Sequence, residues 1–170
     1  MDVRRFTDPG VRLSDLARFD IDVVCPRCAG RAVVAAWPAP APPRVDCPGC
    51  DHSADFSAPR RLTCTGCAFT DSWPGRRTGS VWGGPVDPFF RRPVWRRTKV
   101  RGHVLWAFNR EHLDMLADFV AADLRGRGAG GNRTVISRLP LWMKSAKNRD
   151  DVLAGLGRLR NAEPGPIIRP

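Results

Sequence analysis

The six cysteines fall into three units of one spacing, Cys25-Pro26-Arg27-Cys28, Cys47-Pro48-Gly49-Cys50 and Cys64-Thr65-Gly66-Cys67. Two thiolates so spaced on a tight turn can grip one ion. Two such knuckles complete a tetrahedral four-thiolate site with Zn–S of about 2.3 Å. A thioredoxin-like reading requires the motif to open a helix within a βαβ unit. Here the first knuckle lies between two strand-like runs, Ile21-Asp22-Val23-Val24 and Arg31-Ala32-Val33-Val34, and the motif recurs three times. The chemistry expected is structural zinc. A site closed by four thiolates keeps no open position, which argues against zinc catalysis.

Spacing leaves the pairing open. Cys28 and Cys47 are separated by 18 residues and Cys50 and Cys64 by 13, and either interval suits a zinc ribbon. Joining the first knuckle to the third leaves 35 residues between them, with the second knuckle in an insertion. Six thiolates cannot fill two separate four-thiolate sites. Either one pair is left over, or a second ion recruits His52, His103 or a carboxylate. One zinc per chain is expected and two are admitted.

The elements that position these knuckles follow from local pattern. Leu62–Cys64 and Phe69–Trp73 read as strands around the third knuckle, with Val94–Lys99 and Val104–Ala107 as a hairpin turning at Arg101-Gly102. Asn109 is the expected N-cap of a helix whose apolar positions are Leu113, Leu116, Phe119, Val120 and Leu124, stopping near Gly126. A second helix is expected from Asn148, with Asp151 in a capping box and Val152, Leu153, Leu156 and Leu159 inside. Leu139–Met143 reads as a helical turn between them. Trp37–Pro43 reads as an extended Pro-rich connection and residues 74–93 as an ordered loop. The expected architecture is α+β: an N-terminal four-cysteine zinc ribbon of antiparallel strands, packed with a small sheet and two or three C-terminal helices. Its parts are an arm at 1–20, the ribbon module with a basic loop at 21–108, a helical part at 109–162 and a frayed tail at 163–170.

The chain of 170 residues carries a formal net charge of +11, and 25 of its 28 basic residues are Arg. A GC-rich coding sequence raises Arg everywhere, so placement matters more than the total. Residues 1–57 carry −1, residues 58–110 carry +9 and residues 111–170 carry +3. The excess sits in Arg60-Arg61, Arg76-Arg77, Arg91-Arg92, Arg96-Arg97, Lys99 and Arg101. A basic stripe of this kind attracts phosphate by counterion release. Aromatic rings interleave with it. Trp95, Trp106 and Phe108 are expected in the core, and Trp82 is the best candidate for an exposed or ligand-facing ring.

There is no Walker loop, GxGxxG, GxSxG or HExxH, and Asp71 and Asp87 are the only carboxylates in the basic third. Glu111-His112 opens a helix, with His112 expected half-exposed. The chain is therefore expected not to be an enzyme. No run of 18 apolar residues suggests a membrane span, and the start lacks a leader's apolar core, so a cytoplasmic setting with reduced thiols is expected.

Two later stretches, Val104-Leu105-Trp106-Ala107-Phe108-Asn109-Arg110-Glu111-His112-Leu113 and Ser137–Arg149, join Asp87-Pro88-Phe89-Phe90-Arg91-Arg92-Pro93 and the knuckles in a pattern covering roughly residues 20–160. It resembles a group of small bacterial zinc-ribbon proteins akin to transcription-factor ribbons. The resemblance implies that Cys25/Cys28 and Cys64/Cys67 are the usual ligand pair of knuckles. Relatives also carry a cysteine just before the Leu-Trp-Ala stretch, whereas Thr98–His103 holds none.

The function expected is non-catalytic nucleic-acid binding, DNA or RNA, by Arg60, Arg61, Arg76, Arg77, Arg91, Arg92, Arg96, Arg97, Lys99 and Arg101. The alternative is a protein-interaction adaptor on a transcription or translation machine, docking through the ribbon or the Leu113/Phe119 helix face. A plain structural zinc protein that pairs with its own copy is a third reading.

Overall fold

Buried positions alternate along two runs, Ala32 and Val34, then Arg60, Leu62 and Cys64, with the continuously buried Ile21, Asp22 and Val23 beside them. A run of period two must lie on a sheet with one covered face. The computed structural model describes residues 3–37, 58–75, 82–126, 128 and 131–161. In chain order its elements are β1 (Arg5–Thr7), α1 (Leu13–Leu16), β2 (Ile21–Val24), β3 (Arg31–Ala36), β4 (Arg60–Cys64), β5 (Thr70–Trp73), β6 (Arg96–Val100), β7 (His103–Ala107), α2 (Arg110–Ala121), β8 (Leu124–Gly126), α3 (Leu141–Lys144) and α4 (Arg149–Arg160). The class is α+β, with a zinc-ribbon arrangement of strands at its N-terminal side.

Strands β2-β3-β4-β5 form one antiparallel sheet in that order. Its registers, Val24 opposite Arg31 and Thr63 opposite Thr70, place the β2–β3 and β4–β5 turns at the same end. These turns are the first and third knuckles. The chain leaves β3 at the other end and returns there, where the Trp37 N–H donates to the Pro59 carbonyl at 2.9 Å. Ala32 pairs with Cys64 and Ala36 with Arg60. The mouth of the 38–57 insertion therefore lies roughly 14 Å along the sheet from the knuckles, at about 3.4 Å per residue.

The hairpin β6–β7 turns at Arg101 and Gly102, both at positive φ. Its buried face receives α4, and the approach is close. A Cβ added at Gly155 would lie 2.6 Å from Val100 Cγ2 and 2.9 Å from Leu105 Cδ2. Helix α2 is capped by Asn109, whose Oδ1 accepts from the His112 N–H at 3.0 Å while its Nδ2 donates to the Leu16 carbonyl. Leu113, Leu116, Phe119 and Val120 enter the same apolar cluster as Ile21, Val34, Leu62 and Leu159. Ribbon and helices thus share one core.

Several expectations differ from the structure. Helix α2 ends at Ala121, and Leu124 is exposed on β8. That strand pairs in parallel with β1, Arg5 opposite Leu124, so the segment expected as an arm is stitched to the far side of the helical part. No capping box forms at α4. Asp151 instead accepts from Arg101 at 2.8 Å across to the hairpin turn. His112 is buried, and Trp95, Trp106 and Leu153 are half-buried where full burial was expected. Phe108 is fully buried, as expected.

Candidate metal centre and basic surface

The first and third knuckles are built alike. Each cysteine pair starts where a strand ends, and the chain then turns through a residue in the left-handed region, Ala29 at φ 58° and Ala68 at φ 56°. Each turn is closed by the same bond. The Cys25 N–H donates to the Gly30 carbonyl at 2.8 Å, and the Cys64 N–H donates to the Phe69 carbonyl at 2.9 Å. Two copies of one turn, brought together by the sheet register, face their sulfurs inward.

Cys25, Cys28, Cys64 and Cys67 have all four Sγ atoms within 4.8 Å of one another. Cys25 and Cys67 are 3.6 Å apart, and so are Cys28 and Cys64. A disulfide would need about 2.05 Å. A tetrahedron with Zn–S of about 2.3 Å has edges of about 3.8 Å. The sulfurs therefore form a cage that could hold one ion, one pair from each knuckle.

The electrostatics point the same way. Burial opposes ionisation of Cys25, but N–H donors of Cys28 and Arg27 and the neighbouring thiols outweigh it and bring its thiol down to about 7. The Arg27 N–H lies 3.4 Å from that sulfur. For Cys67 the Phe69 N–H favours the thiolate, but burial and the three other sulfurs push it up to about 12. Four sulfurs in one cage shed the first proton easily and the last with difficulty unless a cation enters. Cys25 and Cys64 are buried, and Cys28 is exposed at the rim. A Cβ at Gly30 would come within 3.2 Å of Cys28 Sγ, so the cage is closely walled. Among the described residues no second cluster of three or more metal-ligating side chains occurs. His103, considered for a second ion, stacks on Trp142 at 4.8 Å instead. Cys47, Cys50 and His52 lie outside the described residues.

The basic residues divide by strand parity. Arg60, expected on the surface, is 2% exposed. Its guanidinium lies 4.7 Å from the Phe89 ring centroid, and Phe89 in turn meets Trp73 and Trp82. Arg96 is also committed to structure. Its Nε donates to Asp22 at 3.0 Å and its guanidinium to the Leu159 carbonyl at 2.8 Å, at the end of α4. Asp22 itself is buried and takes Arg31 as second partner at 2.7 Å. This carboxylate, which no local pattern singles out, ties the ribbon, the hairpin and α4 together through Arg31 and Arg96.

The alternate positions face outward. Arg61 is half-buried against Trp37, 4.4 Å from its centroid. Arg97 is half-exposed, Lys99 and Arg101 are exposed, and Arg91 is exposed at φ 59°. Arg92 is half-buried, and its N–H donates to Asp87. Arg76 and Arg77 lie outside the described residues. Asp87 is fully buried and accepts from the Phe89, Phe90 and Arg92 N–H groups, which sets the loop 87–93. Burial pushes its carboxyl up, against the pull of those donors. The Leu113/Phe119 face offered for a docking partner is spent inside the core.

No family model, curated protein or solved structure matches this chain.

Proposed function

We propose that this chain is a non-catalytic nucleic-acid-binding protein of the small bacterial zinc-ribbon kind, working in a reducing cytoplasm where its thiols stay available to metal. Zinc in the Cys25/Cys28/Cys64/Cys67 cage fixes the ribbon. It keeps a net charge of about −2 with its four thiolates and offers no open position for chemistry.

The observation that carries the reading is the outer face of the β6–β7 hairpin. Arg97 pairs across to Trp106 and Lys99 to Val104. Directly opposed residues of antiparallel strands share a face. Two cations, a half-buried indole and an isopropyl group therefore lie side by side on one face of the hairpin, with Arg101 at the turn. Cations bind phosphate, and an aromatic face accepts a base. Arg61, Arg91 and Arg92 extend the positive charge, and the +9 of residues 58–110 supplies the field.

The test is salt. Binding to a generic single strand or duplex should weaken steeply between about 50 and 200 mM salt. Arg97→Ala/Lys99→Ala should flatten the log–log slope by about two, at about 0.9 per phosphate contact. Arg96 is not used, because its loss would act through the fold. Binding that ignores salt, or a slope unchanged by the double substitution, would overturn the reading.

A further inference from the structure

A cavity of about 530 Å³ opens between β7, the start of α2, the turn at α1 and the segment 133–143. Its lining is chiefly apolar and includes three indoles, Trp82, Trp106 and Trp142. Its charged lining consists of Arg12, Arg133 and Arg138, with no carboxylate. All three arginines are exposed, and none forms an ion pair among the described residues.

His112 reaches the same cavity although it is 3% exposed. Its Nδ1 accepts from the Phe108 N–H at 3.3 Å. Burial brings the imidazole down to about 4, so it is neutral at physiological pH. With Nδ1 as acceptor, the remaining proton belongs on Nε2. A neutral imidazole thus forms part of the cavity wall.

Aromatic walls, a neutral imidazole and guanidiniums outside any ion pair define one ligand chemistry. We propose that this cavity binds a small aromatic molecule carrying one phosphate or carboxylate, its ring system among the indoles and its anion on Arg133 and Arg138. The volume suits a molecule of mononucleotide size. The site shares Val104 and Trp106 with the outer hairpin face, but none of that face's cations, Arg97, Lys99 and Arg101, lines it.

Titration of tryptophan fluorescence with two matched pairs tests this: adenosine monophosphate against adenosine, and 1-naphthoate against 1-naphthalenemethanol. At least one anion should saturate a single site and bind about tenfold or more tighter than its neutral partner. Arg133→Gln/Arg138→Gln should erase that preference while the circular dichroism spectrum and metal content stay unchanged. Arg97→Ala/Lys99→Ala should leave it intact, which separates this site from strand binding. Which pair discriminates tells a phosphate ligand from a carboxylate. The proposal fails if neither anion saturates, if each binds no better than its neutral partner, or if the Arg133/Arg138 variant keeps the preference.

Discussion

The ribbon end and the helical half are held by different means. At the ribbon end the knuckle residues Pro26, Arg27, Cys28, Thr65, Gly66 and Ala68 are exposed, and little apolar surface supports the turns. In the helical half Phe108, Leu113, Leu116, Val152, Leu156 and Leu159 are almost wholly inaccessible. In the proposed reading the knuckle turns depend on an ion in their cage, and the helical half on burial of its own side chains. A small sheet can thus present charged surface without a large core of its own.

The largest effect should come from breaking the cage. Cys64→Ser, or chelation, removes the metal, whose binding free energy in small structural zinc sites is about 10–16 kcal/mol and is also folding free energy. Hydrogen exchange should show β2–β5 losing protection first and most, with α2 and α4 losing less. Uniform loss across both halves would mean that the contrast is wrong.

Next comes the joint between them. Asp22→Ala leaves Arg96, 17% exposed, without its carboxylate and should cost about 3 kcal/mol in denaturant unfolding. A cost below about 1 kcal/mol would show the joint to be ornamental.

Acid should expose the helical half's own weakness. The unfolded His112 imidazole takes a proton below about pH 6.5, while the folded one resists until about 4. Its contribution is therefore complete above pH 6.5 and is lost as pH falls toward 4, by about 3 kcal/mol in all. Metal release destabilises in the same range, so the readout is the difference in slope between the wild type and His112→Gln. The variant should be flatter.

The smallest effects have opposite signs at neighbouring glycines. Gly155→Ala forces a methyl against Val100 and Leu105 and should destabilise by about 1–2 kcal/mol. Gly157→Ala meets nothing within 4 Å and should stabilise by somewhat under 1 kcal/mol through helix propensity. Thermal midpoints would show both.

How much of this was legible in the sequence follows from range. The first and third knuckles, their flanking strands, the Arg101-Gly102 turn and the Asn109 cap are local patterns, and each is found where local chemistry puts it. The β1–β8 pair joins two three-residue strands far apart in the chain, and nothing in either announces the other. Leu124 keeps helical spacing with Val120, yet pairing with Arg5 draws it into a strand. The basic pairs misled in an instructive way. Arg60-Arg61 and Arg96-Arg97 look equivalent as charge, but strand alternation sends one of each pair inward. The Arg60-Leu62-Cys64 period carried that signal. His112 likewise shares the inner face of α2 with Leu116 and Phe119, a spacing that was available but outweighed by its polarity.

The most direct check is X-ray absorption at the zinc edge, on wild type and on two double variants. The cage predicts four sulfurs at about 2.3 Å in the wild type and in Cys47→Ser/Cys50→Ser, and loss of that shell in Cys25→Ser/Cys64→Ser. Loss of a sulfur pair from the Cys47/Cys50 variant, or a metal-free wild type that is fully folded, would contradict it.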